Sequence, residues 1–112
     1  MRNTLKAISN HKFANILDNI GKADITHNIN FDLFKKFIKK IDGLDNCLTT
    51  QKDFLTRMGI HERAEIIAKN QNFSKKADIF YRLEKLISEK QMGNIFKVMF
   101  VKNKKNKFKL GF

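Results

Sequence analysis

The chain has 112 residues and a formal net charge of +12, from 23 Lys and Arg against 11 Asp and Glu. Its length limits it to one small core, while 42% apolar content and 11 Phe exclude disorder throughout. A lone cysteine, Cys47, excludes an intrachain disulfide and a multi-cysteine zinc site, and no apolar run approaches the roughly 20 residues of a membrane-spanning helix.

Leu5 and Ile8, then Phe13, Ile16, Leu17 and Ile20, are apolar, and the second group has helical spacing up to Gly21. Asp24–Phe31 instead alternates Ile25, His27, Ile29 and Phe31 with polar residues, as an extended segment does. Asn30 is a natural N-cap for an amphipathic helix over Phe31–Ile41. Phe34, Phe37, Ile38 and Ile41 form its apolar face, Lys35, Lys36, Lys39 and Lys40 its solvated one, and Gly43 its stop.

Leu44–Leu48 fits either a short strand or a loop. Thr50 then caps a brief helix carrying Phe54, Leu55 and Met58, with Asp53 three residues on as a short capping-box acid. Gly59 suits the left-handed position that ends that helix, and Ile60, Ala64, Ile67 and Ala68 start a second stripe beyond the corner. A further helix begins at Ser74, with Ile79, Phe80, Leu83, Leu86 and Ile87 as a core-packing stripe. Met92-Gly93 reads as a break, and Ile95–Val101 as a late strand covered on both faces. The chain encodes few other extended pieces to complete a sheet around that strand. Lys102–Phe112 reads as a solvated, lysine-rich end.

The positive charge invites a nucleic-acid reading. Nineteen of the basic residues are Lys and only four are Arg, the residue favoured for bidentate phosphate and base contacts, and 12 Asn accompany them. Such enrichment also follows from an AT-rich coding sequence with no ligand involved. His11, His27 and His61 share no ligand spacing, so no metal is expected. Met1–Lys6 leads into a polar stretch instead of a signal-peptide core, and with the lone cysteine this gives a cytoplasmic expectation.

Three blocks carry a resemblance. Thr4-Leu5-x-Ala7, His11 and Gly21-x-Ala23-Asp24-Ile25-Thr26-x-x-Ile29-Asn30-Phe31 form the first. Thr50-Gln51-x-x-Phe54-Leu55-x-x-x-Gly59-Ile60-x-x-Arg63-Ala64 is the second, and Met92-Gly93-x-x-Phe96-Lys97-Val98 the third. In order and spacing these resemble the C-terminal part of the MidA-like class I S-adenosylmethionine (SAM)-dependent methyltransferases, which include the mitochondrial complex I assembly arginine methyltransferases. The resemblance spans about residues 4–102. It implies an α/β, Rossmann-like fold fragment, mostly helices with a late apolar strand at about 94–102, and a basic tail over 103–112.

The resemblance also places Asp24, Thr26 and Gln51 toward the substrate side. On the residues alone, Asp24 and Thr26 serve equally as turn formers, and Gln51 as a first-turn residue bonding to backbone. The family's Gly-rich SAM loop and acidic ribose-binding position have no counterpart in these residues and would lie before Met1. The five glycines are isolated from one another, with no G-x-G among them. The family's proline-containing turn near Leu17 is absent, and Asn30 stands where the family has aspartate.

The resulting expectation is part of a split or truncated methyltransferase, inactive alone and binding no cofactor itself. SAM and a protein substrate would be engaged only after completion by an N-terminal half. The alternatives are a small basic protein that binds nucleic acid or an acidic partner, and a gene remnant without function.

Overall fold

The computed structural model describes residues 4–18 and 20–112. The chain forms two compact units, Met1–Lys36 and Phe37–Phe112.

In the first unit, Leu5–Ser9 (β1) and Lys12–Ala14 (β2) make a hairpin in which Ser9 opposes Lys12 across a two-residue turn. The turn residues Asn10 and His11 have φ of 49° and 60°. Those values suit a type I′ turn, whose twist matches paired strands, and Asn and His are among the non-glycine residues that tolerate them. The helical spacing from Phe13 is therefore misleading. Phe13 pairs with Ile8 across the hairpin, and Leu17 and Ile20 are 76% and 82% exposed, so the stripe marks no buried face. Residues 16–18 turn instead, closed by the Asp18 amide donating to the Asn15 carbonyl at 3.1 Å.

Asp24–His27 (β3) joins the other edge of β1, antiparallel, giving the order β2-β1-β3. This agrees with the alternation seen in sequence. Ala7, flanked by Ala14 and Ile25 at the centre of the sheet, is 1% exposed. Phe31–Lys39 (α1) follows, and the Asn30 side chain accepts from the Leu33 amide at 3.1 Å, which satisfies an otherwise unpaired first-turn donor. Of the α1 face, Ile38 is buried, while Phe34, Phe37 and Ile41 are more than half exposed.

The second unit is built around Leu44–Thr50 (β4) and Lys97–Asn103 (β5), antiparallel over seven residue pairs from Leu44–Asn103 to Thr50–Lys97. The indecisive stretch before Thr50 is thus a strand, and it gives the late strand a partner. The late strand starts at Lys97 and not near 94, because Met92–Ile95 closes a short helix (α5) whose end is marked by the Phe96 amide donating to the Met92 carbonyl. None of the apolar side chains from Val98 to Val101 is fully buried, so the expected cover on both faces is incomplete within this chain.

Between the strands run Gln51–Arg57 (α2), Ile60–Ala68 (α3) and Phe73–Ile87 (α4). Thr50 has extended backbone angles, and its hydroxyl accepts from the Asp53 amide at 3.1 Å. Gly59 has φ 79° and ψ 35°, donates to Thr56 and accepts from Arg63, so one left-handed residue ends α2 and starts α3. Thr50→Ala should lower stability by about 1 kcal/mol in chemical denaturation, with the denaturant slope unchanged.

The third helix starts earlier than Ser74. Asn72 is its cap, its side chain accepting from the Lys75 amide at 2.9 Å. Along α4 no apolar residue is fully buried, and Phe80 and Leu86 remain 44% and 37% exposed. The stripe is therefore only partly covered by α3.

Residues 103–112 depart from a solvated end. Their lysines are exposed, yet Phe112 lies 5.4 Å from the Phe54 ring and 5.5 Å from Phe100, and Phe108 lies 6.0 Å from Phe100. Lys102 is 8% exposed, and its ammonium donates to the Asn106 and Phe108 carbonyls at 2.8 and 3.4 Å. Aromatic burial on β5 and α2 outweighs the solvation of a tail whose lysines can still point outward.

The buried apolar set is small: Ala7, Ile38, Ala64 and Ala68, with no large side chain fully enclosed among the described residues. The accessible surface is 9539 Å². A single folded body of this mass exposes roughly 6,400 Å², and two separate bodies the size of the two units roughly 7,600 Å². The excess of about 1,900 Å² or more is on the scale of one partner's share of a large obligate interface.

Candidate functional site

Asp24 and Thr26 lie two residues apart on β3, hence on one face of the strand, opposite Ile8 and Lys6 of β1. Both are exposed strand residues, not turn formers. Gln51 stands in the second unit, at the first turn of α2, and its side-chain amide donates to the Leu86 carbonyl at 2.9 Å. This secures an end carbonyl of α4 to the start of α2. Gln51 thus spends one N–H on backbone, leaving its second N–H and its carbonyl oxygen for other contacts.

Next to Gln51, Lys52 reaches Glu89 at 2.6 Å. The hydrogen bond that it donates to Glu89, then the charge of Glu89, holds the Lys52 ammonium above the usual lysine range. A raised folded value stabilises the fold below the ordinary lysine range and stops doing so as pH rises through the raised value. The melting-temperature difference between the parent and Glu89→Gln should therefore shrink toward zero on alkaline titration. The pair is exposed, so the difference is small throughout.

Besides a smaller hollow over Glu65, Ala68, Lys69, Lys76 and Phe80, two in the second unit could receive a ligand. One, of about 260 Å³, is lined by Phe54, Met58, Phe100, Phe108, Leu110 and Phe112 with the neighbouring strand. The other, of about 270 Å³, lies between α3 and α4 over Ile60, Ala64, Ile67, Ile79, Leu83 and Leu86, with Arg63 and Arg82. Neither offers the carboxylate for a ribose or the convergent backbone amides that a nucleoside sulfonium requires. The N-termini of α2 and α4 are occupied by their own caps. Among the described residues no three His, Cys, Asp or Glu side chains are grouped to hold a metal, and no helix is long and apolar enough to cross a membrane.

Similarity to known proteins fits this geometry. The family model for an S-adenosyl-L-methionine-dependent methyltransferase matches residues 1–50. The zebrafish mitochondrial protein arginine methyltransferase NDUFAF7 is 28% identical over 103 residues, which cover 89% of this chain and 24% of that protein. The Xenopus tropicalis counterpart is 28% identical over 97 residues, 84% of this chain and 22% of the relative. A Burkholderia thailandensis protein of methyl transferase type, crystallised with S-adenosyl-homocysteine, superposes with a TM-score of 0.75 at 23% identity, covering 98% of this chain and 28% of its own.

Its mixed helices and strands superpose on that structure over nearly the whole chain, so the chain has the fold of the corresponding segment of that protein. The chain is similar to the arginine methyltransferases above and spans about a quarter of the length of the relatives it matches.

Proposed function

We propose that this chain supplies the substrate-side part of a MidA-like protein arginine methyltransferase and works only together with the SAM-binding half of that fold. The observation that carries this reading is the unspent surface, on which many large apolar side chains lie open. A segment that superposes over 98% of its length on a methyl transferase-type structure exposes about 1,900 Å² or more beyond what two self-contained bodies of its mass would. Phe34 and Phe37 on α1, Ile41 just beyond its end and Val101 on β5 are exposed apolar positions. SAM supplies the methyl group; these residues supply the acceptor's surroundings and part of the hydrophobic seat for the cofactor half.

Asp24 and Thr26 are assigned to the acceptor, with a carboxylate suited to a guanidinium and a hydroxyl able to accept or donate beside it. Gln51 is a positioning residue that holds α2 against α4. In the assembled enzyme Asp24→Ala should lower kcat/KM about 10- to 100-fold, the loss of one charge-assisted hydrogen bond, with the melting temperature unchanged.

Calorimetric titration of SAM into the purified chain tests the division of labour. The expected result is no binding by the chain alone and binding once the SAM-binding half is present. A micromolar dissociation constant for the chain alone contradicts it.

A further inference from the structure

We propose that the groove between α3 and α4 is a docking site for an acidic amphipathic helix of a partner protein, with Arg63 and Arg82 taking its carboxylates. The groove belongs wholly to the second unit, and the inference is independent of methyl transfer. Its volume of about 270 Å³ lies below the range of sites that enclose a cofactor-sized molecule. Two aliphatic anchors of a helix, spaced three or four residues apart, match its floor of Ile60, Ile67, Ile79 and Leu83.

The choice of cations gives the partner's charge. Only four of the 23 basic residues are arginine, and two of those four line this groove. Of the 21 basic residues elsewhere, 19 are lysine, which provides a point charge; a guanidinium provides a planar fork that matches a carboxylate. Arg82 donates from Nε to Asp78 at 2.9 Å, which fixes the side chain and leaves its terminal N–H groups for a second acceptor. The Arg63 guanidinium makes no hydrogen bond or ion pair among the described residues. An apolar floor with arginines beside it is the composition of an interface centre, and a net charge of +12 steers an acidic segment toward it.

The test uses the full chain and a fluorescein-labelled helical peptide with Leu at i, i+3, i+4 and i+7 flanked by Glu, read by fluorescence anisotropy. Saturable binding is expected. It should weaken at least fivefold when the peptide's Glu become Gln, and by a similar factor in the Arg63→Lys/Arg82→Lys double variant, which keeps the charge and leaves the melting temperature unchanged. Ile67→Ser should weaken it as well. No binding, or binding that the Lys variant retains in full, overturns the proposal. An oligothymidylate that displaces the peptide and is itself weakened by the same two substitutions overturns it in favour of a nucleic-acid groove.

Discussion

Gly93→Ala is expected to be the most damaging single substitution in the chain, lowering stability by about 3 kcal/mol. Gly93 donates its amide to the Ser88 carbonyl at 2.9 Å, and a Cβ there would overlap the Ile87 carbonyl oxygen and lie 2.6 Å from its carbon. The obstacle is backbone, so no side-chain rotation relieves it. Relief requires α5 to move off the end of α4. That movement would pull on Phe96, whose carbonyl accepts from Gln51 at 3.0 Å, and so on the pairing of β4 with β5. Asn94→Ala, one position along in the same helix, is the control and should be close to neutral. Urea denaturation of both variants checks the pair.

The second large effect concerns the end of the chain. Phe112→Ala should cost about 2–3 kcal/mol, since it removes two aromatic pairs worth about 0.5–1.5 kcal/mol each along with the packing of a half-buried ring. Phe112 touches both Phe54 of α2 and Phe100 of β5, so it ties the helical corner to the sheet. The approach is set by Gly111, with φ 80° and Phe54 ring atoms 2.6 and 2.7 Å from where a Cβ would stand. For a domain of this size the loss lowers the melting temperature by roughly 10 °C or more. A solvated end would predict no change, so the melt decides between the two descriptions of residues 103–112.

Local chemistry in the sequence reaches as far as the caps and turns that satisfy their own backbone. Asn30, Thr50 and Gly59 do in the structure what their residue types imply, because each acts within three or four residues of itself. Asp24–His27 is legible for a related reason, its alternation being a property of one strand. The β1–β2 hairpin is not. Its turn has Asn-His in place of the usual glycine, and Phe13, Ile16, Leu17 and Ile20 imitate a helical stripe that tertiary pairing overrides.

Gly93 illustrates the same limit from the other side. Read alone it ends a helix, whereas in the structure it sits inside α5, and its lack of a side chain matters because α4 passes close by. The packing of Phe108 and Phe112 was hidden among lysines, whose charge dominates the composition of the tail. The assigned acceptor residues came from family resemblance and not from residue chemistry. The structure adds that Asp24 and Thr26 share an exposed strand face, while Gln51 is bonded to Leu86.

The stripe on α4 has the spacing of a core helix, α1 that of an amphipathic helix and β5 that of a strand covered on both faces, and each is only partly covered within this chain. The sequence patterns are those of buried elements, and in the proposed assembly the SAM-binding half covers the open positions of α1 and β5.

Hydrogen exchange on the chain with and without the SAM-binding half tests this most directly. The expected result is a stable complex in which the amides of β4, β5 and α1 become strongly protected and the melting temperature rises with the concentration of the half. Exchange rates unchanged by the half, with the chain melting cooperatively on its own at the same temperature, would contradict it.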